Sequence, residues 1–296
     1  VKTSKKYMSV KTMGIIGTIL RTVLAIVLVT FSIFPVLWIV SAAINPVNNL
    51  ANQQLIPANA NFDNFTKLVN NPIFPFFTWM KNSLFVSLVS TVLTVSLTTL
   101  AAYAFSRFRF KGRQGLLKSI LLVQSFPNLL AIVALYSIIN QMGDLPLIGK
   151  QLGLNTHWGL ILVYMGGAMG MNIWLMKGYM DTVPRDIDES AKVDGATDWQ
   201  IFWHLILPLL RPILVVIGIL SFIGTYGEFL LARTFLTTSD KQTVMVGLQI
   251  FTAGQYTKNW GVFAAGALIA ALPVMIIYLV LQDQIVGGLT AGSVKG

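Results

Sequence analysis

The stretch RDIDESAKVDGATDWQIFWHLILP, Arg185 to Pro208, concentrates charge in a chain that otherwise carries little. Of the 11 acidic residues, six (Asp181, Asp186, Asp188, Glu189, Asp194 and Asp198) lie in it or just before it. Locally it reads as two short helices joined by a corner. Pro184 suits a first helical position, where a missing N–H costs nothing. Asp186, Asp188 and Glu189 fall where negative charge complements the positive end of the helix dipole. Ile187 and Ala191, four apart, share a face. Gly195, after Asp194, can take the left-handed conformation that stops a helix. Thr197 and Gln200 have the spacing of a capping box, in which each satisfies an exposed backbone donor. Trp199, Phe202 and Trp203 give the second helix an aromatic, interface-seeking surface. The result is a compact helical knob, too short and too polar to cross a bilayer. The other reading is a solvated loop kept soluble by its acids.

The surrounding composition belongs to a membrane. Apolar residues make up 55% of the 296 residues, charged residues 11%, and the mean hydropathy is +0.70; soluble domains carry about 25% charged residues. Cys is absent, which excludes disulfides, thiolate metal sites and cysteine nucleophiles. His157 and His204 stand far apart and outside any ligand-spaced cluster. The net charge of +10 is therefore read through its distribution along a membrane chain, not as a nucleic-acid signal.

A bilayer core of about 30 Å needs about 20 apolar residues as helix. Six stretches qualify, at 15–43, 83–105, 116–139, 158–176, 209–231 and 261–282. Pro35 and Pro127 inside two of them are expected as kinks. The first is too long for a cleaved leader and has no small-residue cleavage site before Asn45. With the N-terminus inside, fifteen of the 21 basic residues fall on inner segments, which places both termini and the acid-rich knob in the cytoplasm. The expected organisation is a cytoplasmic segment 1–14, a six-helix transmembrane domain 15–282 with the knob at about 185–204, and a cytoplasmic tail 283–296. The aromatic run FPFFTWM, 74–80, reads as an interfacial anchor on the outer side.

Several residues inside the spans invite roles. Gly166 and Gly170 have the spacing that lets helix backbones approach closely. Asn172 and Tyr164 either line a polar passage or bond across helices. Glu228 is placed near the outer end of its helix, either as part of a gate or partner contact, or as an interfacial acid that reaches headgroups or pairs with Arg233. The stretch GDLPLIGKQ, 143–151, comes near a phosphate-binding loop but has the wrong glycine spacing, and Gln151 stands where Ser or Thr would hold magnesium.

The pattern Glu189-Ser190-Ala191-x-x-x-Gly195, followed by Leu205-x-Leu207-Pro208, resembles the EAA motif of permease subunits of binding-protein-dependent ABC importers. Ser190 replaces the usual Ala and Leu205 the usual Ile. The similarity extends over WMKNSLFVS (79–87), AAYAFSRFRFKGR (101–113), LLVQSFPNLLAIVALYSII (121–139), GLNTHWG (153–159) and GLTAGSVKG (288–296). The last of these, with GLNTHWG, resembles the MalG-type branch that serves maltose and maltodextrin importers. The resemblance implies an all-α integral membrane protein with the MetI-like fold of type I importers, six transmembrane helices and a cytoplasmic coupling helix. It implies that Glu189, Ser190, Ala191, Asp194, Gly195, Ala196, Thr197, Leu207 and Pro208 dock on an ATPase. It also implies that the tail Ser293, Val294, Lys295 and Gly296 reaches toward that ATPase. The chain would itself be no enzyme and bind no cofactor, since ATP and magnesium would sit on the partner. Expected partners are a second, MalF-like permease, two copies of a MalK-like ATPase, an extracytoplasmic sugar-binding protein and membrane lipid, with no nucleic acid. The expected location is the bacterial inner membrane.

An importer for another sugar, such as a galacto-oligosaccharide or a polyol, shares the same motif. A secondary transporter would call for inverted repeats and ionisable residues at mid-bilayer, and neither is evident in the six spans.

Overall fold

The computed structural model describes residues 10–47, 53–254 and 258–290, and all regular structure among them is helical. In chain order the helices are α1 (Val10–Ile44), α2 (Asp63–Val69), α3 (Phe76–Arg107), α4 (Arg113–Gln124), α5 (Asn128–Gly143), α6 (Gly149–Leu152) and α7 (His157–Met180). They continue as α8 (Asp186–Val193), α9 (Asp198–Ile201), a π-helical turn (Phe202–Ile206), α10 (Leu207–Leu209), α11 (Arg211–Tyr226), α12 (Leu230–Phe235), α13 (Val244–Ala253) and α14 (Trp260–Thr290). Two compact units form, one from Val1–Asn70 with Phe251–Ile269 and one from Asn71–Ile250 with Ala270–Gly296.

In the first unit, α1 is apolar on all sides, and none of its most apolar window is buried. Such a helix is solvated by lipid or by another chain. Packing begins only at its last turn, where Ala42 and Ala43 meet Ala264 and Ala265. The freed carbonyls at that end find donors. Asn61 N–H donates to Ile44 O at 2.9 Å, and the buried amide of Asn64 donates to Ala43 O at 3.0 Å and Asn45 O at 2.9 Å.

The second unit is organised by α3, α7 and α11, which pack on one another. The buried face of α3 is lined by Ser83, Ser87, Ser90, Thr94 and Thr98, spaced three or four apart. Small residues on such a face let helix backbones come close where lipid supplies no hydrophobic drive. Ser87 turns its hydroxyl back to Ser83 O at 2.6 Å, and Asn172 on α7 donates to Ser221 Oγ on α11 at 3.1 Å.

Among the described residues, four helices are long and apolar enough to cross a bilayer: Gly14–Ile44, Phe76–Arg107, His157–Met180 and Trp260–Gln284. The stretches expected at 116–139 and 209–231 differ from single helices. The first is broken rather than kinked, because Pro127 is extended (φ −61°, ψ 118°) and separates α4 from α5. Proline also disfavours helical backbone in the residue before it. The second is cut at both ends. Its helix starts at Arg211, after a 75° bend from Asp198–Leu209, and stops at Tyr226 with Gly227 as cap. The run 74–80 is no simple interfacial anchor either, since Phe76 and Trp79 are buried and, of its aromatic rings, only that of Phe77 is well exposed.

Candidate docking segment

The acid-rich stretch forms an elbow whose turns follow from its residues. Helix α8 opens with Asp186, Asp188 and Glu189 in its first turn and Lys192 in its last, matching both ends of the dipole. Its start lies two residues beyond Pro184, which therefore precedes the helix instead of opening it. The corner is Gly195 at φ +82°, where an added Cβ would meet nothing but would strain the backbone. Ala196 N–H returns to Ala191 O at 2.9 Å and closes the first helix. Thr197 and Gln200 make the reciprocal capping box that opens α9. Beyond it the helix widens to a π turn, in which Leu207 N–H reaches Phe202 O. Pro208 follows, and a proline that offers no N–H and crowds the preceding turn suits such a widening.

The elbow has two faces. Ala191, Ile201, Phe202 and Ile206 are buried against Ala102, Tyr103, Met176 and Met180. Glu189, Ser190, Asp194, Gly195, Thr197 and Pro208 are exposed, with Ala196 and Leu207 part-buried. Val193 is 88% exposed and Trp199 61%, so the outward face carries apolar as well as acidic groups. Of the expected aromatic surface, Trp199 and Trp203 face out, while Phe202 turns inward against Tyr103 at 4.9 Å between ring centroids.

A polar lock joins this elbow to the last turn of α3. Arg107 Nε lies 3.0 Å from Asp188 Oδ2, with side-chain exposures of 7% and 11%. The contact is an ion pair without hydrogen-bond geometry. Arg107 Nη2 donates to Val183 O at 3.1 Å, and Arg185 Nη2 donates to Ser106 O at 2.9 Å. Tyr103 OH donates to Asp198 O at 3.1 Å. Ser106 Oγ donates to Asp181 Oδ1 at 2.6 Å, and Lys177 binds the other oxygen. Partial burial works to raise the Asp181 carboxyl, but the hydrogen bonds from Lys177 and Ser106 outweigh it and hold the group below its ordinary value.

The opposite end of α3 holds a loop. Trp79 Nε1 donates to Ser239 O at 2.7 Å, and Asn82 Nδ2 donates to Asp240 O and Gln242 O at 2.8 and 2.9 Å. Val244 N–H donates to Ser83 Oγ at 2.8 Å. From the other side Asn155, in the left-handed region at φ 58°, accepts from Thr237 N and Thr238 N, each at 3.1 Å. The stretches WMKNSLFVS and GLNTHWG thus converge on one loop.

The remaining candidates are placed as follows. Gly166 faces open space, and at Gly170 an added Cβ would meet the side chain of Gln124, so among the described residues this spacing brings no two backbones together. Asn172 bonds across helices, as described above. Glu228 lies past the end of α11, and its carboxylate accepts Tyr164 OH at 2.7 Å and the N–H groups of Leu231 and Ala232 at 2.8 and 3.0 Å. It ties α7 to the start of α12 and is not paired with Arg233. Ser293, Val294, Lys295 and Gly296 lie outside the described residues. Arg107, Trp79, Asn82 and Asn155 are not singled out by the sequence, although each sits in a stretch that carries the family resemblance, and Asp188 is read there only as an acid at a helix start.

The family of the binding-protein-dependent transport system inner membrane component matches residues 94–289. The maltose/maltodextrin transport system permease protein MalG of Vibrio vulnificus (strain YJ016) is 43% identical over 278 residues, covering 89% of this chain and 91% of the relative. The galactooligosaccharides transport system permease protein GanQ of Bacillus subtilis (strain 168) is 40% identical over 265 residues, covering 89% and 90%. A crystal structure of a bacterial ABC transporter involved in the import of the acidic polysaccharide alginate superposes with a TM-score of 0.76 at 22% identity, over 94% of this chain and 99% of that one. The chain belongs to the family of binding-protein-dependent transport system inner membrane components.

Proposed function

We propose that the chain is a membrane-embedded permease subunit of an ATP-driven, binding-protein-dependent importer of maltose or maltodextrins, and that the elbow is its coupling helix. The observation that carries the reading is the elbow itself: an EAA-like stretch folded into a rigid corner, packed on one face and open on the other. In this role the exposed residues Glu189, Ser190, Asp194, Gly195, Thr197 and Pro208 sit in a cleft of an ATPase, and Ala191 secures the elbow from within. Closure of two ATPase copies around ATP moves the elbow, and contacts that differ between open and closed states bias the permease conformation. A second permease completes the pathway and covers the lipid-like surface of α1, and an extracytoplasmic binding protein delivers sugar.

Six crossings are obtained by counting the broken pair α4–α5 and the bent fifth segment with the four long helices. At 1.5 Å per residue α11 alone is about 24 Å long, short of the bilayer core by about one turn. Its continuation through Gly227 into α12 supplies the rest. The basic-residue distribution supports a cytoplasmic elbow, a cytoplasmic N-terminal segment 1–14 and a cytoplasmic tail 283–296, whose last four residues meet the ATPase.

The likeness to a galactooligosaccharide permease at 40% identity favours a second substrate class. Purifying the chain with its membrane neighbours and measuring ATP turnover in vesicles separates the two. Stimulation by maltodextrins is expected, and stimulation only by galacto-oligosaccharides transfers the assignment. Charge reversal, Glu189→Lys, is expected to reduce recovery of the ATPase in a detergent pull-down. An undiminished recovery removes docking through the elbow.

A further inference from the structure

The chain itself joins the elbow to α7 and α11, but not to α3. Every tie between the elbow and α3 is therefore non-covalent, and the polar ones are concentrated in one turn. Tyr103, Ser106 and Arg107 contact Asp198, Asp181, Val183 and Asp188, and Arg185 reaches back to Ser106 O. One guanidinium holds both the lead-in to α8, at Val183, and α8 itself, at Asp188.

Helix α3 is also the long helix best suited to carry a displacement along its length. Its 32 residues contain neither Gly nor Pro, whereas α1 and α14 each contain an internal proline, α7 contains five glycines and α11 two. Sharp kinks form at Pro and at Gly-containing steps. At 1.5 Å per residue it spans about 48 Å. Its far end is fixed to the loop at residues 239–244 by Trp79, Asn82 and Ser83.

We propose that Arg107 and Asp188 are positioning residues that make α3 a third arm of the elbow, a rod carrying its motion to the loop at residues 239–244. This rests on the docking reading above. A buried ion pair without hydrogen-bond geometry is a poor stabiliser compared with apolar packing. A role in holding two moving parts in register accounts for its presence better than a role in stability.

The absence of Cys makes a direct test available. In the complete transporter in vesicles, the double variant Arg107→Cys/Asp188→Cys carries the chain's only thiols. Sugar moved per ATP hydrolysed is expected to fall about tenfold, the size of coupling usual within one buried pair, while ATPase recovery stays within about twofold of the parent. Joining the thiols with a short thiosulfonate linker is expected to restore the ratio, and reductant to abolish it again. A parental ratio in the unlinked variant overturns the proposal, as does a ratio that stays low once the thiols are titrated as linked. Should the pair not reach the membrane, Arg107→Lys keeps the charge but loses the fork that grips Val183 and Asp188 together. It is expected to lower the ratio about threefold, and an unchanged ratio overturns the proposal equally. Glu189→Lys in the same vesicles reports on docking alone, so an ATPase recovery that survives it removes the docking reading whatever the thiols do.

Discussion

The two ends of α3 are held by different chemistry. At its start, neutral side chains grip backbone: an indole N–H, a carboxamide and a hydroxyl meet carbonyls and an N–H of residues 239–244. At its end, every hold but that of Tyr103 involves a charged group: Arg107 on Asp188, Arg185 on the Ser106 carbonyl, and the Asp181 carboxylate, itself paired with Lys177, on the Ser106 hydroxyl. Bonds from side chain to backbone accept many sequences in the partner loop and tolerate salt and pH. Ion pairs fix particular residues opposite each other and respond to both. One end is built as an anchor, the other as a joint, and each can be broken separately.

The largest effect is expected at the anchor. Trp79 is completely buried, and its ring lies where a side chain at Gly247 would be. Trp79→Ala removes a large buried ring together with its bond to Ser239, at a cost of about 3–5 kcal/mol. Thermal unfolding of the purified chain in detergent is expected to show it, and Gly247→Val is expected to act in the same direction by displacing the ring. A Trp79→Ala variant with parental melting would mean that Asn82, Ser83 and Asn155 hold the loop without the indole.

At the joint, Asp188→Ala leaves the Arg107 guanidinium buried without its counter-charge, a loss of about 3 kcal/mol. Arg107→Met/Asp188→Leu together replace the pair by apolar volume and are expected to recover most of that stability. Transport per ATP is expected to stay low in the same double variant. Melting and coupling measured side by side thus sharpen the contrast between anchor and joint. If both recover, the ion pair is only packing.

The corner is the next step down. Gly195→Ala meets no atom, so only the positive φ resists it, at about 1–2 kcal/mol. Gly195→Asn is expected to cost less, because Asn tolerates the left-handed region. Equal melting of the two variants would show that the corner relaxes away from this conformation.

These regions also differ in how far sequence alone reveals them. The elbow was legible because its signals are local: acids at a helix start, Gly after Asp, Thr three before Gln. Helix α3 was legible as an apolar run, although its ends lie beyond 83–105 because Phe76, Trp79 and Arg107 continue the helix past the most apolar core. The anchor was not legible. Trp79 and residues 239–244 are some 160 positions apart, and an aromatic cluster beside an apolar span reads first as a lipid interface. Arg107 was counted as one inner-side charge among several, since nothing local pairs it with Asp188. The sequence leaves Glu228 as a gate or partner contact, or as an interfacial acid reaching headgroups or Arg233; the partners it has, a tyrosine and two backbone N–H groups, lie outside any charge-pairing rule. The bend before Arg211 had its cause in view, with Pro208 and Pro212 four residues apart, but apolarity alone runs straight through it.

The smallest effect is a pH response confined to the joint. In the fold, the Asp181 carboxyl lies below 3.8, because Lys177 and Ser106 favour its charged form more strongly than partial burial disfavours it. A group whose value is lowered by folding adds stability above its unfolded value and loses it as pH falls through the folded one. The contribution is therefore intact at neutral pH and fades below about pH 4. With the Asp181 side chain 41% exposed, solvent screens much of it. Asp181→Asn should lower melting slightly at pH 7 and make no difference in strong acid. At the anchor, where an indole and a carboxamide do the holding, Asn82→Ala should lower melting by the same amount at both pH values. A pH-dependent Asn82→Ala effect, or a pH-independent Asp181→Asn effect, would erase the distinction between the two ends of the helix.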